Sequence, residues 1–189
     1  MNEQAPWRFV WTASEVYRCF ESAHLSNGSL NVIDGELLMK PPAPPRVTCC
    51  ISLVADSLRN ALNRVTRDCH VRERGWMGID ENTVVSPDVH VWEGTIRQPG
   101  NALLVAEVSV TTLKFDLGGK SHLYAAAGIL EYWVIDVNAS QVHVHRDTIA
   151  DAESPHGFRY ASVQVLNPAD RIAPLAAPDS SILVGDLLP

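Results

Sequence analysis

The chain has no apolar run near the twenty or so residues needed to cross a bilayer. Its opening "MNEQAPWRFVW" shows no basic-then-apolar leader pattern. A cytoplasmic protein without a membrane partner is the expectation. Cysteine is scarce: Cys19, Cys49, Cys50 and Cys69 follow no metal-ligand spacing, and an adjacent pair makes a poor disulfide framework, so reduced packing thiols are expected. Repeats and low-complexity segments are absent. So is a phosphate-binding glycine loop, because "DLGGKSH" lacks P-loop spacing despite its look. No Ser-His-Asp order can be defended, and no helix-turn-helix or zinc finger is present to set target specificity. Positive charge is also short, with 15 Lys+Arg against 22 Asp+Glu and a net charge of -7, which argues against nonspecific attraction to nucleic acid. The deficit is uneven. Between Lys40 and Arg74 seven positives face three negatives, leaving about -11 for the remainder. That segment could present a face to phosphates, or be a solvated helix face laced with i,i+4 ion pairs.

What is present suits one globular domain over residues 1–189, 46% apolar and 20% charged. Thr12 and Glu15 form a capping box with Trp11 and Val16 as its staple, opening a helix to about His24 that Asn27-Gly28 ends. "NVIDGELLMK" reads as a short strand or a hairpin around Asp34-Gly35, and "PPAPP" separates it from the clearest helix. There Val47, Cys50, Ile51, Val54, Leu58, Leu62 and Val65 make one apolar stripe. The period then shortens to two or vanishes into apolar runs at "DCHVRE", "VVSPDVHVW", "LLVAEVSV", "EYWVIDV", "QVHVHRD" and "FRYASVQV", which predicts strands. "DLGGKSHLYAAAGI" between the third and fourth suits a helix capped by Asp116 and stopped by Gly128. The result is an α/β or α+β fold, a sheet flanked by helices.

Inside "LLVAEVSV" sits Glu107, and a carboxylate is rarely buried without a partner. Asp88, after Pro87, stands at the mouth of the neighbouring strand and could lie beside it. Two carboxylates at one point repel unless a cation joins them. A hard ion such as Mg2+ would do so, completing its shell with waters and a strand carbonyl next to Glu107, that of Val108, and would supply a nucleophile beside a phosphate. Asp116 and Lys120 lie four apart, so Lys120 either pairs with Asp116 on the surface or projects toward Glu107.

The stretches "IDGELL", "SPDVHVW", "LLVAEVSVTT", "FDLGGKSHLYAAAGILEYWVID" and "RIAPLAAPDSSILVGDLLP" resemble the Uma-two family of the PD-(D/E)XK nuclease superfamily, over nearly the whole chain from about Trp11 to Leu188. The resemblance implies a restriction-endonuclease-like core, a central mixed β-sheet flanked by helices, and a metal-dependent phosphodiesterase site. It makes Asp88 the PD aspartate, Glu107 the second metal-binding carboxylate and Lys120 the family lysine, carried on the following helix. Ser109 stands where the strict E-x-K signature has its lysine. Glu36 matches an upstream acidic position that can touch metal-bound waters; its alternative is an exposed strand residue beside a turn. Tyr124 and Glu131 fit the pattern too, the first equally as helix packing, the second equally as an electrostatic partner. Two departures are Val110 after Ser109, where members often have proline, and "PPRVTCC" in place of a histidine leading the long helix, with Arg46 a substitute phosphate contact.

The expected activity is hydrolysis of DNA phosphodiesters with Mg2+, or Mn2+ in its place, catalytic residues Asp88, Glu107, Lys120 and Glu36, and Asp88, Glu107 and Val108 as metal ligands. A homodimer could cut two strands, with "SILVGDLLP" as its interface. The rival is a nuclease-fold protein that binds nucleic acid or a protein without cutting; RNA or a smaller phosphodiester would use the same site. An H-x-H metal pair at His143 and His145 competes with a strand having one wet face, and Trp92, Tyr132 and Trp133 read as core.

Overall fold

The computed structural model describes residues 9–23, 30–40, 42–65, 68–95 and 98–189. In chain order the elements are α1 (Ala13–Ala23), β1 (Leu30–Ile33), β2 (Glu36–Met39), α2 (Pro45–Leu62), β3 (Cys69–Glu73), β4 (Met77–Asp80), β5 (Thr83–Val85), β6 (Val89–Thr95) and β7 (Gln98–Ser109). Then come α3 (Leu113–Phe115), a π-helical turn (Asp116–Lys120), α4 (Ser121–Ala126), β8 (Glu131–Asp136), β9 (Gln141–Ala150), β10 (Phe158–Leu166), β11 (Arg171–Ile172), β12 (Ile182–Leu183) and a 3-10 turn (Val184–Leu187). The chain divides into two compact units, residues 1–42 with 76–86 and residues 43–75 with 87–189.

In the first unit the capping box forms as expected: the Thr12 N–H donates to Glu15 Oε2 at 2.9 Å and the Glu15 N–H to Thr12 Oγ1 at 3.3 Å. The stop at Asn27-Gly28 lies outside the described residues. The β1–β2 hairpin turns on Asp34 and Gly35, both with positive φ (52° and 76°), as a two-residue type I′ connection requires. Gly35 also faces Val10 so closely that a Cβ would fall 2.2 Å from its Cγ1. An antiparallel sheet of order β2-β1-β5-β4 packs Leu30, Val32 and Val84 against Val16 of α1. "VVSPDVHVW" is therefore not one strand. Pro87 cannot donate to a ladder and the Ser86 N–H donates to Asn31 Oδ1 at 2.8 Å, so β5 stops at Val85 and β6 starts afresh in another sheet.

The second unit carries the six-stranded sheet of order β10-β9-β8-β7-β6-β3. Only β7 and β8 run parallel within it, and the helical segment after β7 makes the crossover such a pair needs. This is the expected α/β architecture, a mixed central sheet flanked by helices. Helix α2 starts at Pro45, where a missing N–H costs nothing. Its stripe of Val47, Cys50, Ile51, Val54, Leu58 and Leu62 covers one sheet face, against Val89, Val91, Leu104, Ala106, Trp133, Ile135, Val142 and Val144. Helix α4 covers the other face at β9 and β10.

Three expectations need correction here. Asp116 is not a helix cap: the helical segment opens one turn earlier, at Leu113, and Asp116 lies inside it. The side chains of Ile182, Val184 and Leu187 from "SILVGDLLP" fill this unit's own core and are not spare surface between copies. His145 is not on a wet face. It is buried among the rings of Tyr132 and Tyr160 because α4 covers that side, and no His, Cys, Asp or Glu group able to hold a metal ion gathers round it among the described residues.

Candidate active site

Alternation along β7 sends Ala106 and Val108 into the α2 core and Glu107 to the opposite face, opposite Val134 of β8. With both faces of the strand covered, Glu107 is 1% exposed. Asp88, 8% exposed, stands just before β6, and its Oδ2 accepts the Val108 N–H at 2.9 Å. The Ser109 carbonyl accepts the Val137 N–H on the β8 side. Peptide groups alternate along a strand and one residue's N–H and C=O point the same way, so the Val108 carbonyl shares the edge where Asp88 lies. Two carboxylates and a carbonyl are thus brought to one stretch of β7.

Lys120, also 1% exposed, enters from the helical crossover with Nζ 2.6 Å from Glu107 Oε1 and 3.3 Å from Asp116 Oδ1. The two alternatives for this lysine are therefore both realised, and in the interior. Its ammonium is held by charge without an aligned hydrogen bond to either oxygen, and the Phe115 ring lies 5.9 Å away. Tyr124, one turn further on, donates its O–H to the same Glu107 Oε1 at 2.8 Å. Burial first, then the Glu107 charge, raises the Tyr124 phenol well above its ordinary range, so it remains a donor.

The Asp116–Lys120 stretch is a π-helical turn, a wider winding often found at functional positions. Asp116 accepts from the hydroxyls of Ser109 and Thr112, the latter at 2.6 Å, while the Tyr132 O–H holds its backbone carbonyl at 3.0 Å. Ser109 acts as an anchor: with Thr112 it fixes Asp116, and Asp116 in turn holds the lysine that comes from the helical crossover. This anchoring was missed from sequence. Its signals, the four-residue step from Asp116 to Lys120 and hydroxyls at 109 and 112, gain meaning only when β7 and the crossover pack together.

Glu36 opens β2 in the first unit with its side chain exposed, whereas Asp88, Glu107, Val108 and Lys120 all belong to the second. Arg46, exposed in the first turn of α2, donates to Asn138 Oδ1 at 3.3 Å. Glu131 is the partner form of its two readings: it accepts from Trp133 Nε1, Arg146 Nε and the Leu175 N–H, a buried tie between strands and the C-terminal segment. Burial, aided by the Asp88 charge, pushes the Cys50 thiol up to about 12, as suits a packing thiol rather than a nucleophile.

Among the described residues no three His, Cys, Asp or Glu side chains group closely enough to hold a metal ion. The oxygens that could hold a metal are those of the two carboxylates and the Val108 carbonyl, a set short of a full shell, whose chemistry would suit a hard ion such as Mg2+ that keeps several waters. A family model described as "Putative restriction endonuclease" matches residues 17–185. The chain belongs to the Uma2 family. A solved structure described as a "putative nuclease belonging to DUF820" from Anabaena variabilis ATCC 29413 is similar in fold, with a TM-score of 0.64 and 15% identity over 88% of this chain and 94% of that one. No curated protein matches the chain in sequence. The Uma2 match spans both compact units and contains Glu36, Asp88, Glu107, Asp116, Lys120 and Tyr124.

Proposed function

We propose that this Uma2 protein is an endonuclease that hydrolyses DNA phosphodiester bonds with Mg2+, or Mn2+ in its place, held by Asp88, Glu107 and the Val108 carbonyl. The observation that carries the proposal is Lys120: a lysine missing from the strand is returned by the crossover to within 2.6 Å of Glu107, in the interior. An ammonium buried there has a use if charge develops beside it, because a preorganised cation in a water-poor site stabilises a transition state more than it would in solvent. The bound cation would supply Lewis acidity toward water and toward a phosphoryl oxygen. Within the chain, Lys120 holds a non-bridging oxygen or the attacking water, Tyr124 orients Glu107, and Asp116 keeps the ammonium in place. One water adds across one P–O bond, leaving a phosphate end and a hydroxyl end.

The protein is proposed to act in the cytoplasm, where its four thiols stay reduced. Among the described residues no helix is long and apolar enough to cross a membrane. A homodimer would bring one site to each strand of a duplex; a single monomer-sized species in sedimentation at working concentration would refute it.

One observation favours a second reading. Glu107 already has a counter-ion in Lys120, which it shares with Asp116, so the buried carboxylate is partnered without a metal, and a nuclease-fold binder of nucleic acid that does not cut would keep the same ion pairs. Cleavage of supercoiled plasmid and of single-stranded DNA with Mg2+, Mn2+ or EDTA, beside Glu107→Gln, separates the two. Metal-dependent cutting that Glu107→Gln abolishes is expected. Absence of cutting, together with no metal binding by calorimetry, would refute the nuclease and leave the binder.

A further inference from the structure

Arg72 on the edge strand β3 pairs with His90 of β6, and paired residues of antiparallel strands share a sheet face. Asp88 stands two residues before His90, on that same face, and the Arg74 N–H donates to the Asp88 carbonyl at 3.0 Å, so the pairing continues to the candidate site. Arg72 is thus the diagonal neighbour of Asp88, at about 7–8 Å between backbones.

The side chain is also built into place. Its guanidinium lies over the Trp92 ring, 5.2 Å from the centroid, and Trp92 itself is only 4% exposed. On another side Gly75 leaves a notch: a Cβ there would come within 2.2 Å of Arg72 Cδ and 3.2 Å of His90 Cε1. Stacking on an indole and seating against a glycine restrict a side chain that would otherwise lose entropy on meeting a ligand. The neighbouring Arg59 is spent on Asp56 and Glu73. Arg72 is an exposed residue and forms no ion pair with a carboxylate among the described residues. An oriented guanidinium without a carboxylate counter-ion among the described residues, on a chain of net charge -7, is the arrangement an incoming anion completes.

We infer that Arg72, seated on Trp92 and Gly75 with its guanidinium reaching along β6 away from Asp88, binds a backbone phosphate of the nucleic-acid strand that flanks the one presented to Asp88 and Glu107. The inference rests on the nuclease reading of that site and adds to it a strand-holding subsite outside the metal-ligand set. Its ligand is the phosphodiester group, so it reads no base and tolerates any sequence.

The test is fluorescence anisotropy of labelled single-stranded and duplex DNA in EDTA, across a salt series, for the full chain and for Arg72→Met, Arg72→Lys and the exposed control Arg64→Met. Methionine keeps the contact with Trp92 and removes the charge; thermal melts confirm that each variant is folded. Arg72→Met is expected to bind several-fold more weakly at low salt and to lose about 0.7–0.9 from the slope of log K against log salt, the signature of one phosphate contact. Arg72→Lys should recover the slope with less of the affinity, and Arg64→Met should leave both unchanged. Unchanged slope and affinity in Arg72→Met, with the wild-type chain binding and cutting, overturns the phosphate subsite and spares the nuclease. A lost slope unit in a chain that does not cut with any metal supports the subsite and overturns the nuclease. A wild-type chain without salt-dependent binding overturns the subsite directly.

Discussion

Lys120→Met removes the ammonium that Glu107 and Asp116 share. At an effective dielectric constant near 20, contacts of 2.6 and 3.3 Å correspond to about 6 and about 5 kcal/mol of attraction, set against a desolvation cost of several kcal/mol for each ion. Without the ammonium, the two carboxylate oxygens, which its position keeps within about 6 Å of each other, repel by roughly 3 kcal/mol on the same scale. The expected loss of folding stability is therefore about 3–5 kcal/mol, the usual result of stripping one partner from a buried pair. Urea unfolding followed by circular dichroism at pH 7.5 measures it. A second variant separates charge from lost packing. Glu107→Gln in the Lys120→Met background removes the repulsion while keeping the Tyr124 contact, so the double variant should be more stable than the sum of the two single losses by about 1–3 kcal/mol. A loss below about 1 kcal/mol for Lys120→Met, with the two changes additive, would refute the account of Lys120 as the counter-ion of this interior site.

Further outcomes follow from the same geometry. Asp116→Asn keeps an acceptor for Ser109 and Thr112 but drops the charge that positions Lys120, so kcat should fall about 10- to 100-fold with KM little changed, and the kcat–KM split in steady-state cleavage checks it. Tyr124→Phe removes a hydrogen bond to a buried charge and should cost about 1.5–3 kcal/mol in denaturant unfolding. Burial first, helped by Arg72 for His90 and by His143 and His122 for His145, holds both imidazoles near pKa 4 against an ordinary 6.5. The unfolded chain then binds more protons between those values, so this contribution is whole above about pH 6.5 and is lost as pH falls toward 4, by about 3 kcal/mol per histidine. Denaturant midpoints at pH 7.5 and 4.5 should converge in His90→Gln and His145→Gln relative to the wild-type chain.

The elements most legible in sequence are those whose signal is local. The α2 stripe, the Thr12–Glu15 box and the Asp34-Gly35 turn each depend on residues within a few positions of one another, and all three form, though the helix ends at Leu62 and leaves Val65, the last residue of the expected stripe, in the segment after it. Where the reading failed, a distant partner decided. Ser86 and Pro87 end a ladder because Asn31, far along the chain, takes the Ser86 N–H. Asp116 looked like a cap because nothing in "FDLGGKSH" reveals that Ser109 and Thr112 will present their hydroxyls to it. "SILVGDLLP" looked like spare apolar surface because its partners, Cys50 and Leu58 among them, lie over a hundred residues earlier.

By itself the sequence determined which groups the chemistry can draw on: a carboxylate in a doubly buried strand, a second before its neighbour, and a lysine on the crossover helix. Residue type and local period suffice for that. Tertiary structure decided how they combine. Lys120 had two partners within reach on paper, and only the packing of the π-turn against β7 could decide that it takes both in the interior, because a charge pair's partner and strength depend on distances and solvent exclusion that sequence spacing does not encode. The same holds for Arg72. Its neighbours Trp92, Gly75 and Asp88 meet it through strand register and a missing side chain, which exist only once β3 has paired with β6.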